Sequence, residues 1–323
     1  MRPHTRAVRV LSSVLILIGV GAASCAPGPA GLRNPGTSAV APKKAQVRTV
    51  TEYTVGQFNM AGGNAEHGPK GDEAPDAFVR DVRERGSAFV TLQEACRDWN
   101  ERMLSRLPGY GVAFHPVRSA DGTPGRCKHP SDFGNAVLFR EDLGFDAATA
   151  IAYPLESPAG YEQREMLCVR SDRRRTVVCS AHLSYGDKGT RPAVRRHEAQ
   201  VAARILATEY AGYTRFFGGD LNDDPLSEAT GNFYEPRYRG GAHGEFQEAG
   251  SPCGDDIEAG YPTESPASPE STPVWVRCRS AVPTHGQGKI DYLFVEPRLR
   301  VLWSETTEAV HSDHDPLWAR VRF

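Results

Sequence analysis

The sequence predicts an α/β fold in which two β-sheets pack face to face with helices on their outer sides. Three observations carry this prediction. Short apolar runs rich in β-branched and aromatic residues, each closed by turn residues, recur along the chain. Three longer stretches with helical character fall between some of them. The 323 residues, 39% of them hydrophobic, supply the core of one large domain. In chain order the runs at 53–58, 88–92, 112–117, 136–140, 166–169, 176–180, 215–217, 290–295 and 317–323 are predicted strands. Residues 74–85, 97–107 and 191–210 are predicted helices, the last with Val194, Val201 and Ile205 on one side and an arginine-rich polar face on the other. Strands in pairs with occasional helices bury one sheet face on the other. Residues 250–288, rich in Pro, Gly and Ser, are predicted to form a long surface loop, and no short internal repeat is present.

The first 25 residues have a basic start, an apolar run from Val10 to Val20 and then Gly21-Ala22-Ala23-Ser24-Cys25, the layout of a bacterial secretory signal. The run is too short to span a bilayer. Its end resembles a lipoprotein box with Ala22 in place of the usual Leu, so lipidation at Cys25 competes with cleavage near Ser24 or Ala26. Residues 26–47 read as a flexible tether, and 48–323 as the folded domain. Removing Arg2, Arg6 and Arg9 takes the formal charge from −2 to about −5. A mildly acidic chain has no global pull toward nucleic acid or anionic lipid, so a phosphate-bearing partner must be held by local basic groups or a metal.

Six cysteines remain for the domain, and in an exported chain they imply three disulfides. Cys168 and Cys179 are symmetric about a turn, so a hairpin sets them opposite each other. Cys253 with Cys278 would clip the Pro/Ser-rich loop, and Cys96 with Cys127 takes the remainder. No Cys-x-x-Cys pair favours the alternative, a zinc site.

Polar residues suited to metal and phosphate chemistry occur just after the apolar runs, where a buried strand emerges at a sheet edge: Phe58-Asn59, Gln93-Glu94, Ala181-His182, Gly219-Asp220-Leu221-Asn222, Ile290-Asp291 and Ser312-Asp313-His314. Glu94 and Asp313 offer hard oxygen ligands for Mg²⁺ or Mn²⁺. Asn59 and Asn222 can hydrogen-bond the metal shell, water or phosphate without adding charge. His182 and His314 carry protons near neutral pH, and Asp291 can fix a histidine tautomer. Together these residues suit phosphoester hydrolysis.

In this order the motifs resemble the endonuclease/exonuclease/phosphatase superfamily, the deoxyribonuclease-I-like fold, from about Tyr53 to the C-terminus. The resemblance implies a four-layer α/β/β/α sandwich of two mainly antiparallel sheets with the site at one edge. It implies Glu94 as principal metal ligand, Asn59 and Asp313 completing or approaching the metal shell, and Asp220 with Asn222 orienting and activating water. His314, paired with Asp291, and His182 would contact the phosphate and manage protons, with the acid and base roles left joint. Arg164 resembles a phosphate-contacting arginine. No cofactor beyond the metal is implied.

The superfamily acts on many phosphoesters, so fold alone does not select the substrate. Gly288-Lys289-Ile290-Asp291-Tyr292 departs from the Pro-Ala-Trp-Cys-Asp-Arg block of inositol polyphosphate 5-phosphatases. The loop offers little for lipid insertion beyond Trp275. Arg173-Arg174-Arg175 and Arg191, Arg195 and Arg196 could follow a phosphate backbone. The expectation is a monomeric secreted or surface-anchored nuclease. The alternative is a secreted phosphatase or a phospholipid or sphingomyelin phosphodiesterase using the same site.

Overall fold

The computed structural model describes residues 51–67, 73–254, 274–279 and 281–323. The predicted signal, Cys25 and the tether to residue 47 lie outside the described residues, as do 255–273 of the predicted loop. Twelve strands form two six-stranded sheets. The first contains β1 (Glu52–Asn59), β2 (Phe89–Cys96), β3 (Tyr110–Pro116), β4 (Phe133–Arg140), β11 (Arg300–Thr306) and β12 (Leu317–Arg322), in the order β11-β12-β1-β2-β4-β3. The second contains β5 (Ile151–Pro154), β6 (Glu165–Ser171), β7 (Thr176–His182), β8 (Thr214–Asp220), β9 (Gln247–Glu248) and β10 (Asp291–Val295), in the order β5-β6-β7-β8-β10-β9.

Each sheet is built on the same plan. A central parallel pair, β1 with β2 and β7 with β8, is flanked on both sides by two antiparallel strands. Parallel neighbours need a crossover, which α1 (Glu73–Arg85) and α3 (Arg191–Thr208) provide. The helix α2 (Arg97–Arg106) follows β2 directly.

Three apolar clusters correspond to the three interfaces of four layers. Phe78, Val79 and Val82 of α1 and Trp99 and Met103 of α2 pack on Val90 and Leu92, the outer face of the first sheet. Ala199, Ala202 and Leu206 of α3 pack on Val177, Cys179 and Phe217, the outer face of the second. Between the sheets lie Val55, Phe89, Val137, Val178, Phe216 and Leu293. Alternation along the strands sends Phe89 inward and Val90 outward, and Phe216 inward and Phe217 outward. The predicted four-layer sandwich is therefore the observed one.

All nine predicted strands and three predicted helices are present. Three further strands, β5, β9 and β11, each occupy a sheet edge. Two features depart from the sequence reading. Residues 274–279 of the predicted surface loop are helical (α5, Val274–Arg279), and Cys278 and Arg279 within it are buried. Arg195 of α3 belongs to no polar face, since it is only 2% exposed. Cystines join Cys96 to Cys127, Cys168 to Cys179 and Cys253 to Cys278. Cys168 and Cys179 are direct register partners on β6 and β7.

Candidate active site

The strand directions explain where the polar motifs converge. β1, β2, β7 and β8 finish at one end of the sandwich, and the antiparallel β10 and β12 start there. Asn59, His182 and Asp220 are the last residues of β1, β7 and β8, Asp291 is the first of β10, and Asp313 and His314 immediately precede β12. The register across β8 and β10 sets Asp291 directly opposite Asp220. Glu94 sits where the β2–β4 register shifts, with φ +49°, so the bulge turns its side chain out of the ladder at the strand end.

Gly218 lets the two sheets approach, and Gly219 lies tight against the adjacent strand β7 of its own sheet. A Cβ on Gly218 would stand 2.0 Å from Thr91 Oγ1 of the opposing sheet, and one on Gly219 would stand 2.4 Å from the Ala181 carbonyl oxygen. At this end the core between the sheets turns polar. Gln57 donates to Asp291 Oδ1 (3.1 Å), and Thr91 Oγ1 donates to Gln57 Oε1 (2.8 Å). Gln93 donates to Gln57 Oε1 (3.0 Å) and to Ser180 Oγ (3.0 Å). This buried network has well-matched donors and acceptors and holds Asp291 from behind.

Asp220 is the hub. Its Oδ2 accepts from Asn59 Nδ2 at 3.0 Å and lies 3.4 Å from His182 Nε2 and 3.8 Å from His314 Nε2. Its Oδ1 accepts the Asn222 N–H at 2.9 Å. Burial, reinforced by the Asp291 carboxylate, pushes its carboxyl up to about 7, against the opposing pull of His314 and Asn59. Burial and the nearby positive charges of Arg164 and His314 hold His182 well below the usual histidine range, so its imidazole is neutral. His314 goes the other way. Burial disfavours its charge, but Asp291, whose Oδ2 is 2.8 Å from Nδ1, together with Asp220 and Asp313 outweighs burial and pushes it up to about 10. Asn222 takes φ +52°, tolerable for an asparagine, and donates to the Leu183 carbonyl at 3.1 Å. Ser312 pins the last loop by donating to the Asn59 carbonyl (2.8 Å) and accepting the His314 N–H (3.0 Å).

Glu94 Oε2 accepts the Gly63 N–H at 2.9 Å, and burial raises its carboxyl above the usual range. Asp313 Oδ2 accepts from Asn64 Nδ2 at 2.8 Å and is 3.5 Å from His285 Nε2. The other oxygen of Asp313 accepts no hydrogen bond from the described residues, while Glu94 is also drawn on by the Asn59 side chain, which lowers its carboxyl against burial. Glu94 and Asp313 line one cleft of about 440 Å³ together with Arg164, His182, Asp220, Asn222 and His314. Oxygen donors with spare lone pairs beside a cleft fit a hard divalent cation. Asp220, Asp291 and His314 also bring ligand atoms within 4.8 Å of one another, as do His285, Asp313 and His314. Arg164, just before β6, is 4% exposed; its Nη1 forms an ion pair with Glu162 Oε1 at 3.1 Å, and its Nε makes no hydrogen bond with the described residues. A buried guanidinium at a cleft wall with its Nε–H unsatisfied suits an anion.

Every sequence-predicted catalytic, metal and phosphate residue thus reaches this end of the sandwich; the six half-cystines are distributed through the fold, and Cys25 lies outside the described residues. Sequence reasoning missed Gln57, Asn64, Lys128, Tyr185 and His285. A signal was available for Gln57: an uncharged polar residue in an otherwise apolar buried strand, two positions before Asn59.

The arginine runs require a correction. Arg173, Arg174 and Arg175 occupy the β6–β7 turn, at the end of β7 opposite His182. They are spent on the carbonyls of Asp142, Leu143 and Gly212. Arg195 is buried against Asp223, and Arg196 pairs with Glu228. None of these lies along the cleft.

Residues 56–314 match the model of the Endonuclease/Exonuclease/phosphatase family. No curated protein matches the sequence. Among solved structures, the chain is similar to an endonuclease/exonuclease/phosphatase family protein from Bacteroides thetaiotaomicron, at 16% identity and TM-score 0.56 over 85% of this chain and 96% of that one. A mannosyl-6-phosphatase from the same organism is 17% identical, with TM-score 0.54 over 84% and 100%. The human Nocturnin catalytic domain with bound sulfate is 16% identical, with TM-score 0.58 over 84% and 94%. At these identities the likeness is one of fold.

Proposed function

The chain belongs to the endonuclease/exonuclease/phosphatase family, and from that premise we propose that it is an exported phosphodiesterase of nucleic acid that depends on a divalent cation, Mg²⁺ or Mn²⁺. The observation that carries the reading is the Asn59–Asp220–His182 and Asp291–His314 cluster, set in one cleft with the Glu94 and Asp313 carboxylates and the buried Arg164 guanidinium.

Glu94 and Asp313, with Asn59, would hold the cation, which supplies positive charge against the nonbridging oxygen and the leaving group. Asp220, oriented by Asn59 and the Asn222 N–H, positions the attacking water and takes its proton. His314, kept protonated by Asp291, donates to the phosphate, as does Arg164. Neutral His182 contributes a hydrogen bond without charge.

A polyanionic chain as substrate is supported by the cleft walls. Lys128, which makes no side-chain hydrogen bond or ion pair among the described residues, and Arg126 both line the cleft. Of the large exposed apolar side chains among the described residues, only Tyr185 lines it, which gives a lipid tail little to enter. No helix among the described residues is long and apolar enough to cross a membrane. Export is supported by the signal-like N-terminus and three cystines; an anchor at Cys25 belongs to the same proposal.

The test is hydrolysis of plasmid, linear and single-stranded DNA, RNA, sphingomyelin and a generic phosphomonoester, each with and without EDTA. Glu94→Gln is expected to lower kcat/KM on nucleic acid by about 10²-fold or more. Cleavage that survives both controls unchanged would remove the metal assignment. Turnover of lipid or monoester alone would move the function to the alternative substrates.

A further inference from the structure

Beside the catalytic cluster stands a feature that the chemistry above does not use. The segment after β7, residues 183–187, is braced from below by two buried groups of α3. Glu198 accepts both the Ser184 N–H (2.8 Å) and the Ser184 hydroxyl (2.8 Å). Arg195 donates to the carbonyls of Ser184 (3.2 Å) and Gly186 (2.7 Å) while paired with Asp223 (2.9 Å) and Asp187 (3.1 Å). Burying a guanidinium and a carboxylate is costly unless both are well bonded, and here both direct bonds to the backbone of one short loop.

That loop presents Tyr185, which is 58% exposed and lines the cleft that His182 and Asp220 share. The Arg191 guanidinium lies 4.9 Å over its ring, and Arg191 Nη1 donates to the Tyr185 carbonyl at 3.2 Å. Arg191 also lies 5.3 Å over the Tyr161 ring. Gly186, at φ +93°, makes the stack possible: a Cβ there would come within 2.9 Å of Arg191 Cδ. A lone exposed aromatic is ordinary. One held by an arginine on a braced loop, at the lip of a phosphate-binding cleft, has already lost the freedom that binding would otherwise cost.

We propose that Tyr185 is a stacking platform for the base next to the scissile phosphate, which makes unpaired nucleic acid the preferred substrate. The assignment rests on the phosphodiesterase reading above. A ring face is reachable only when the base is not stacked in a duplex, and ring–base stacking tolerates any base.

The experiment is a cycle between the residue and the base. The full-length protein, Tyr185→Ala and Tyr185→Trp are assayed with Mg²⁺ on a single-stranded oligonucleotide, on the same oligonucleotide carrying abasic sites, and on its duplex. The unsubstituted protein is expected to prefer the base-bearing strand over the abasic one by about 5- to 150-fold in kcat/KM, mostly through KM. Tyr185→Ala is expected to lose that preference, and Tyr185→Trp to keep it. A preference that survives Tyr185→Ala, or is absent in the unsubstituted protein, overturns the platform while leaving the phosphodiesterase reading intact. Failure to cleave any oligonucleotide overturns both.

Discussion

Gly218→Ala tests the claim that the site depends on the close approach of two sheets. The new Cβ would lie 2.0 Å from Thr91 Oγ1, 3.1 Å from its Cβ and 3.2 Å from its Cγ2, where contacting atoms normally keep about 3.5 Å. Thr91 cannot rotate away freely, because its hydroxyl donates to Gln57 Oε1 at 2.8 Å. Either the sheets part, at an overpacking cost of about 1–3 kcal/mol, or the buried Thr91 hydroxyl leaves its acceptor at a similar cost, Gln57 Oε1 keeping only Gln93. The expected destabilisation is about 1–3 kcal/mol. Removing Thr91 Oγ1 and Cγ2 with Thr91→Ala leaves only the 3.1 Å contact, so the double variant should be more stable than the sum of the singles by about 1–2 kcal/mol. Urea unfolding of the four proteins measures the coupling. Additivity within about 0.5 kcal/mol would refute the argument that Thr91 Oγ1 is the obstacle.

Asp291→Asn is expected to lower kcat by about 10²–10⁴-fold, because His314 loses the carboxylate that keeps it protonated. Combined with His314→Gln the loss should hardly deepen, since the two act as a unit, and independent losses would sink the pairing. Replacing Cys168 and Cys179 together by Ala opens a cross-link with a sequence separation of 11. The expected loss is about 3 kcal/mol, read from the thermal midpoint, and a change under about 1 kcal/mol would contradict it. His115 on β3 contacts Glu165 on β6 at 2.7 Å, and that hydrogen bond outweighs burial to raise the imidazole above its usual value. Glu165 itself is raised, because burial outweighs the imidazolium. A raised histidine stabilises the fold fully below about pH 6.5 and ceases to do so as pH climbs through its folded value. With His115 half exposed, His115→Gln should therefore cost well under about 1 kcal/mol near pH 6 and less near pH 9. A cost that grows with pH would reverse the sign.

Most of the fold was legible because the central strands are buried on both faces and read as continuous apolar runs. The missed strands are edges. β5 is four residues and mostly exposed or half-buried, β9 is two residues, and β11 has only Val301-Leu302-Trp303 as an apolar stretch between Arg300 and Ser304-Glu305-Thr306, with no residue fully buried. An edge strand needs no apolar continuity, so composition cannot announce it. The candidate-site motifs were legible because they follow those buried runs. His285, Asn64 and Tyr185 sit in loops whose placement depends on contacts distant in sequence, such as the 249-residue separation bridged by Asn64 and Asp313. The arginine runs misled for the same reason. Arg195 is indistinguishable from a surface arginine until Asp223 and the 184–186 carbonyls close around it.

The shared plan of the two sheets has a consequence for how activity reports on the molecule. Asn59 and His182 end the first strand of each central parallel pair, while Glu94 lies near the end of the second strand in one sheet and Asp220 ends it in the other. The site is thus a seam between two quasi-equivalent halves, whose central parallel pairs each contribute one neutral and one acidic group, and neither half holds a working set. A population whose halves are each formed but badly seated on one another would keep its circular dichroism and lose turnover. Hydrolysis is therefore a gauge of docking between the halves, sensitive to shifts of an ångström that spectroscopic measures of secondary structure do not register.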